Sequence, residues 1–347
     1  MKVTLDRRAL VAALKTVLPA VPKASGLSAL TGVRIDAGAD AVTFTCSNLD
    51  LTIATHLDLE AEDRGTCVVP AALLTKIVSA MGEKRIELVY EGDQLNVTSG
   101  TAVTELACYD AASWPALDTA DGAHFTLDDD HLAYIARIAP FASSDQSRPM
   151  LTAIQFAGRH IAATDSYRLA VVDLGSQWDM PEALVSAEAL RTVLASGAER
   201  VGMTVGTGHV TFTAETTSWT VRQIVGDYPA WPNLMRDTSP HELTFDRDQM
   251  IDAVHRVSQL SRDATIRLEL HGMMAALTTK ADDVGSMTDQ VPADGDIDFA
   301  LGFNGAYLTD LLEAMGDTVT LGLANGLKPI MATHKRVTGL LMPVRMS

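Results

Sequence analysis

One short phrase recurs along the chain. Val3-Thr-Leu-Asp6 alternates apolar and polar residues as a half-buried strand does, and Leu10, Leu14 and Val17 follow at helical spacing. Phe125-Thr-Leu-Asp128 leads in the same way into Leu132, Ala136 and Ala139, and Leu243-Thr-Phe-Asp246 into Met250, Val254 and Val257. Each aspartate stands where a helix N-cap belongs, because its short carboxylate accepts hydrogen bonds from first-turn amides. The three aspartates lie 122 and 118 residues apart. A period that long is a domain, not a solenoid unit, and predicts three tandem copies of one fold at residues 1–121, 122–240 and 241–347.

The pattern fills in each copy. In the first, the helix runs from Asp6 to about Leu18 and ends at Pro19 and Pro22, leaving Lys23–Gly26 in a loop. Strands are predicted at Gly32–Asp36, Ala41–Ser47, Leu49–Leu59 and Gly65–Val69, a second helix at Ala71–Met81, and strands near 85–90, 94–98 and 101–109. Leu74, Ile77 and Val78 of that second helix map onto Leu190, Val193 and Leu194, and again onto Leu308, Leu311 and Leu312. Two helices and about eight short strands per copy follow. Ser113-Trp-Pro-Ala-Leu117 and Asp227-Tyr-Pro-Ala-Trp-Pro-Asn-Leu234 read as linkers, and Val205-Gly-Thr-Gly208 as a hairpin turn. Ala281–Asp296, rich in Asp and Gly, reads as a surface loop, and Val337–Arg345 as an apolar strand with a proline at its end.

Composition narrows the class. With 47% hydrophobic and 20% charged residues, each third can bury a core. The net charge of −17 is spread evenly over the thirds, about −6, −5 and −6, so it is no acidic tail. Such a charge opposes nucleic-acid binding unless basic groups gather on one surface. Cys46, Cys67 and Cys108, an odd number without a Cys-x-x-Cys pair, suggest buried reduced thiols. No apolar run approaches the ~20 residues that span a bilayer, and no signal core follows Met1-Lys2. A soluble cytoplasmic protein without cofactor is expected.

Hydrolase, phosphate-loop and metal-ligand motifs are missing from the sequence. Its basic residues are more informative. Arg8 and Lys15 share a wet helix face, the second copy has Arg137 at the position of Lys15, and the third has His255 beside Arg256. The second helices carry Lys76, Lys84, Arg191 and Arg200 in two copies but Asp310 and Glu313 in the third. An ordinary solvated face accounts for any one of these; recurrence in three acidic copies points to an uneven basic wall. Thr164-Asp-Ser-Tyr-Arg168 is a polar run between apolar strands. It reads as a strand–turn–strand with local backbone bonds, or as a nucleophile site at Asp165–Ser166 for which no histidine is placed by sequence.

Thr164-Asp-Ser-Tyr-Arg-Leu-Ala170, Gly302-Phe-Asn-Gly-Ala-Tyr-Leu308 and Leu341-Met-Pro-Val-Arg345 resemble three signature stretches of the bacterial replicative sliding clamps, the β subunits of DNA polymerase III. The opening Met1-Lys-Val-Thr and Ser47-Asn-Leu-Asp-Leu-Thr-Ile53 are similar too, so the likeness spans the chain. Ser166-Tyr167 stands where the family often has Gly-His, and Met346-Ser347 extends past its usual end. The resemblance implies an α+β fold of three clamp domains, each with two helices on antiparallel sheets. It further implies a head-to-tail homodimer forming a six-domain ring around duplex DNA, non-catalytic, opened by a clamp-loader ATPase and tethering the replicative polymerase α subunit and other clamp-binding-motif proteins. Their peptide pocket would comprise Leu151, Thr164, Ser166, Tyr167, Arg168, Leu169, Pro229 and Leu234 with Asn304, Tyr307, Leu327, Pro329, Leu340, Met342, Pro343, Val344 and Arg345, with Arg168 and Arg345 at its rim. Duplex contacts would fall to Arg8, Lys15, Lys23, Arg137, Arg148, Arg191 and Arg200, and the dimer contact to the strand near Thr101–Tyr109 meeting the third copy.

Elementary geometry agrees with two chains per ring. A domain of about 118 residues is roughly 35 Å across, so three in contact leave a hole of about 5 Å and six leave about 35 Å. The groove depths of B-DNA alone sum to ~16 Å. Two other classes stay open at this point: an enzyme centred on Asp165–Arg168, and a repeat-built adaptor that does not bind DNA.

Overall fold

The computed structural model describes residues 1–235, 239–260, 265–281 and 284–345. The first copy is β1 (Lys2–Asp6), α1 (Arg7–Val17), β2 (Gly32–Ala37), β3 (Ala41–Ser47), β4 (Leu51–Asp58), β5 (Gly65–Pro70), α2 (Ala71–Ala80), β6 (Arg85–Glu91), β7 (Gln94–Ser99) and β8 (Ala102–Ala107). The order returns as β9 (Gly122–Asp128), α3 (Asp129–Ile138), β10 (Ala153–Gly158), β11 (His160–Thr164), β12 (Arg168–Asp173), β13 (Met180–Ser186), α4 (Ala187–Leu194), β14 (Arg200–Gly206), β15 (His209–Ala214) and β16 (Thr217–Arg222). It returns again as β17 (His241–Asp246), α5 (Arg247–Ser258), β18 (Thr265–His271), β19 (Met274–Ala281), β20 (Gly285–Gly295), β21 (Leu301–Asn304), α6 (Gly305–Glu313), β22 (Thr318–Leu323), β23 (Ile330–His334) and β24 (Val337–Leu341).

Local chemistry starts the helices where the phrase placed them. Asp6 accepts from the amides of Arg8 (2.9 Å) and Ala9 (3.2 Å), and the bond from Ala9 above all holds its carboxyl below the usual value. Asp246 caps α5 through the Gln249 amide at 2.9 Å. Leu10, Leu14 and Val17 are buried while Arg8 and Lys15 face water. The hairpins β7–β8, β15–β16 and β23–β24 turn at the same left-handed residue, Gly100 (φ +61°), Glu215 (+49°) and Lys335 (+52°). The repeats thus share backbone where side chains have diverged.

The chain forms two compact units, Met1–Asp129 with Glu188–Gln223, and Asp130–Ala187 with Ile224 onward. The first holds a four-stranded sheet, β1-β6-β7-β8, and an eight-stranded sheet, β5-β2-β3-β4-β16-β15-β14-β9. The second holds a twelve-stranded sheet, β13-β10-β11-β12-β24-β23-β22-β17-β20-β19-β18-β21. Every strand pairing among the described residues is antiparallel. Two joints link copies: β4 pairs β16 with Thr52 opposite Thr220, and β12 pairs β24 with Leu169 opposite Leu340. The two registers are equivalent, each residue pair occupying the same place in its repeat.

Two expectations change. Ala281–Asp296 is largely strand, because β20 pairs β19 from Met274↔Pro292 to Ala281↔Gly285 and meets β17 at Leu243↔Gly295. Only Val291 and Ala293 of that strand are buried, too few for the alternation to stand out among its Asp and Gly residues. Cys46 and Cys67 are buried as expected, but Cys108 is half-buried. The Gly206–His209 turn and the end of β24 before Pro343 match the sequence reading. Among the described residues no helix is long and apolar enough to cross a membrane.

Candidate functional site

The polar run 164–168 is a built turn. Thr164 Oγ1 donates to the Arg168 carbonyl (2.7 Å) and accepts from the Ser166 amide (3.2 Å). Asp165 Oδ1 accepts from the amides of Tyr167 (2.9 Å) and Arg168 (3.0 Å), and Oδ2 from Arg168 Nε (2.9 Å). These bonds hold Ser166 at φ +79°, which reverses the chain and pushes Tyr167 outward, 57% exposed. The Asp165 carboxylate is thus bound to the turn's own amides and to the Arg168 side chain.

Arg168 corrects an expectation: it is not on the rim. Its side chain is 8% exposed, with Nη2 on the Pro140 carbonyl (2.6 Å), Nη1 on Asp310, and the guanidinium carbon 4.3 Å from the Tyr307 ring centre and 5.2 Å from that of Phe141. Tyr307 in turn stacks on Tyr167, centroids 6.2 Å apart at 27°. The arginine is therefore a clip that binds the turn to α6, and the two tyrosines form a platform above it. Asp310, read from sequence as a gap in a basic wall, is the clip's other half.

The tail completes the surface. Beyond β24, the Met342 amide donates to the Tyr167 carbonyl (2.9 Å) and the Val344 amide to Gly302 (2.7 Å), so the chain end is strapped along the joint. Leu169 and Leu340 face each other in an apolar cluster with Ala153, Tyr228 and Trp231, against which Met331 and Met235 pack. A recess of about 70 Å³ opens there, lined by Leu234, Lys328, Pro329, Met331 and Leu340. Asn304 caps α6 through the Tyr307 amide at 3.1 Å. Leu151 and Thr164 are buried, Pro343 is half-buried, and Pro229 and Arg345 are exposed. Of thirteen large apolar side chains exposed among the described residues, five are predicted pocket residues: Tyr167, Leu234, Leu327, Met342 and Val344. That concentration marks a surface made to be covered. Tyr228, Trp231 and Met331 were missed in sequence; the first two sit in the Pro-rich aromatic stretch read only as a linker. Met346-Ser347 lies outside the described residues.

All seven predicted DNA-contact residues are exposed. Lys15 and Arg191 line one groove of about 630 Å³ in the first unit, with Thr16, Thr192, Trp219 and Glu188. Arg8, Lys23 and Arg200 belong to the same unit, Arg137 and Arg148 to the second. In the third copy Arg256 is engaged by Asp289.

Models of the N-terminal, central and C-terminal domains of the DNA polymerase III beta subunit match residues 1–118, 126–230 and 235–345. The chain belongs to the DNA polymerase III beta-subunit family. The beta sliding clamp of Bacillus subtilis is 25% identical over 99% of this chain and all of that one, and the beta sliding clamp of Synechocystis 28% identical over 91% and 92%. The solved sliding clamp of Bartonella birtlesii, bound to griselimycin, superposes with a TM-score of 0.93 at 25% identity over the full length of both chains. As a beta subunit the protein is the non-catalytic processivity component of its polymerase, which sets aside the enzyme reading of Asp165–Arg168.

Proposed function

We propose that two copies of this beta subunit, each of three domains at 1–121, 122–240 and 241–347, close head to tail into a ring that encircles duplex DNA. The observation that carries this reading is the joint. Within the chain, the last strand of one copy pairs with the third strand of the preceding copy's other sheet, β16 on β4 and β24 on β12. One such strand of each kind is left over. β8 ends its sheet, and residues 285–292 of β20 pair only with β19 among the described residues. Two copies supply both missing joints, and with both made neither β8 nor residues 285–292 of β20 is left open. If the dimer joint continues the register of the two joints within the chain, Glu105 pairs with Ser286 of the partner subunit and Val103, 61% exposed, with the partner's Thr288.

Arg8, Lys15, Lys23, Arg137, Arg148, Arg191 and Arg200 then hold the duplex through its phosphates, without reading sequence and with contacts weak enough to exchange as the ring slides. The −17 charge elsewhere keeps DNA off the outer surface. The surface around Leu169, Leu340, Tyr167, Leu234, Leu327 and Met342 takes a short peptide with one or two aliphatic or aromatic anchors. Its bearers are the polymerase α subunit, the clamp-loader ATPase and other clamp-binding-motif proteins, in the cytoplasm. The test is solution mass together with retention on nicked circular and linear DNA. A dimer retained only on closed circles is expected; equal retention on both topologies removes the ring.

A further inference from the structure

The repeat that builds the pocket at the second joint also builds a groove at the first. Ser47 Oγ accepts from the Leu49 amide (3.1 Å), and Asn48 Oδ1 from the amides of Asp50 (3.0 Å) and Leu51 (2.7 Å). Leu49 is held at φ +76°. These three amide bonds are the ones that shape the turn of Thr164–Arg168, with Leu49 in the place of Ser166. The ladders extend the match. Thr52 opposite Thr220 stands where Leu169 meets Leu340, Arg222 where Met342 stands, and His209, opposite Arg222, where Pro329 stands.

The lining has been exchanged on an unchanged backbone. The first-joint groove encloses about 350 Å³, against about 70 Å³ at the second, and is walled by Leu49, Thr52, Leu117, His209, Thr220 and Arg222. Leucine gains nothing local from a left-handed backbone, which suits glycine or asparagine. Here it sets an apolar side chain, 48% exposed, on the groove's lip. Arg222 is 64% exposed and reaches Asp50 only at 4.0 Å; His209 reaches Asp118 at the same distance, and both carboxylates are 80% exposed. Such solvated pairs contribute little and yield to a better-placed carboxylate.

We propose that this groove is a second docking site, taking an extended acidic peptide whose carboxylate meets Arg222 and His209 while a neighbouring aliphatic side chain packs on Leu49 and Leu117. The peptide class rests on the reading of the second joint; the acidic, aliphatic character rests on this groove's own lining. A single carboxylate takes the place of Asp50 and Asp118 at the cations, whereas a run of phosphates must also lie against both aspartates.

The probe is a fluorescein-labelled peptide with a single glutamate between leucines and carrying a benzophenone, titrated against the full-length protein by anisotropy and mapped by cross-linking and mass spectrometry. Its glutamine analogue serves as control. Saturable binding is expected, with cross-links in 49–52 and 116–118, and a loss of about tenfold or more both for the analogue and on Arg222→Gln at unchanged melting temperature. Met342→Glu should leave it untouched. No saturation by about 1 mM, an unaffected Arg222→Gln, cross-links confined to 327–344, or displacement by a duplex oligonucleotide would each overturn the proposal. An aliphatic-anchor peptide titrated in parallel, expected to be lost on Met342→Glu, tests the second-joint reading separately, so failure of one is not failure of the other.

Discussion

Replacing Arg168 with methionine keeps most of the side chain's volume and removes its fork. The charge is 8% exposed and serves five neighbours at once: Asp165, Asp310, the Pro140 carbonyl and the faces of Tyr307 and Phe141. Breaking a buried ion pair from one side costs about 3–5 kcal/mol, mostly from the partner left without compensation. Asp165, 9% exposed, keeps its two backbone amide donors, and Asp310, 27% exposed, can turn to water. Both place the cost near the lower limit, about 3 kcal/mol, a factor of roughly 150 in the opening equilibrium of the joint. Amide hydrogen exchange reads it directly: 164–172 and 337–344 should exchange about a hundredfold faster, and 2–17 at the wild-type rate. Peptide affinity should fall too, since Tyr167 and Tyr307 lose the group that orients them. Arg168→Lys should recover only part, because one ammonium cannot reach all the acceptors. Exchange in Arg168→Met equal to wild type would refute the clip.

Other outcomes follow from the same structure. Reversing Lys15, Arg137 and Arg148 to Glu should shorten retention on circular DNA and flatten the logarithmic salt dependence of binding by about 0.9 for each phosphate no longer neutralised; unchanged retention removes these residues from the duplex interface. Val103→Asp, which puts a charge on the β8 edge, should shift sedimentation from dimer towards single chains while leaving each chain folded. Native maleimide labelling should modify one thiol quickly: Cys108 is half-buried, and its hydrogen bond with Cys67 holds its pKa below the usual value, whereas burial pushes Cys46 up. The hydrogen bond from Arg256 holds the Asp289 carboxyl below its ordinary 3.8. Its stabilisation is therefore present above that pH and fades as pH falls through the lower folded-state value, so Asp289→Asn should lower stability at neutral pH and flatten the acid limb of a melting-temperature profile.

The sequence by itself determined whatever depends on neighbours a few residues away. Asp6 and Asp246 cap helices because their amide partners are two or three positions on, and Leu10, Leu14 and Val17 form a stripe because the helix repeats every 3.6 residues. The threefold phrase made the domain count legible, and the motif likeness singled out five side chains that are apolar and exposed. Tertiary structure decided what depends on distant partners. Arg168 looks like any basic residue beside a turn until Asp310, 142 positions away, closes on it. β20 is a strand because β19 and β17 take up its backbone, not because its side chains alternate well. The equivalence of the two joints, with Arg222 standing in for Met342, exists only in the strand register, which backbone hydrogen bonds set between segments more than 150 residues apart. Local sequence encodes torsion angles and caps; long-range pairing fixes which side chains share a surface, and so what that surface can bind.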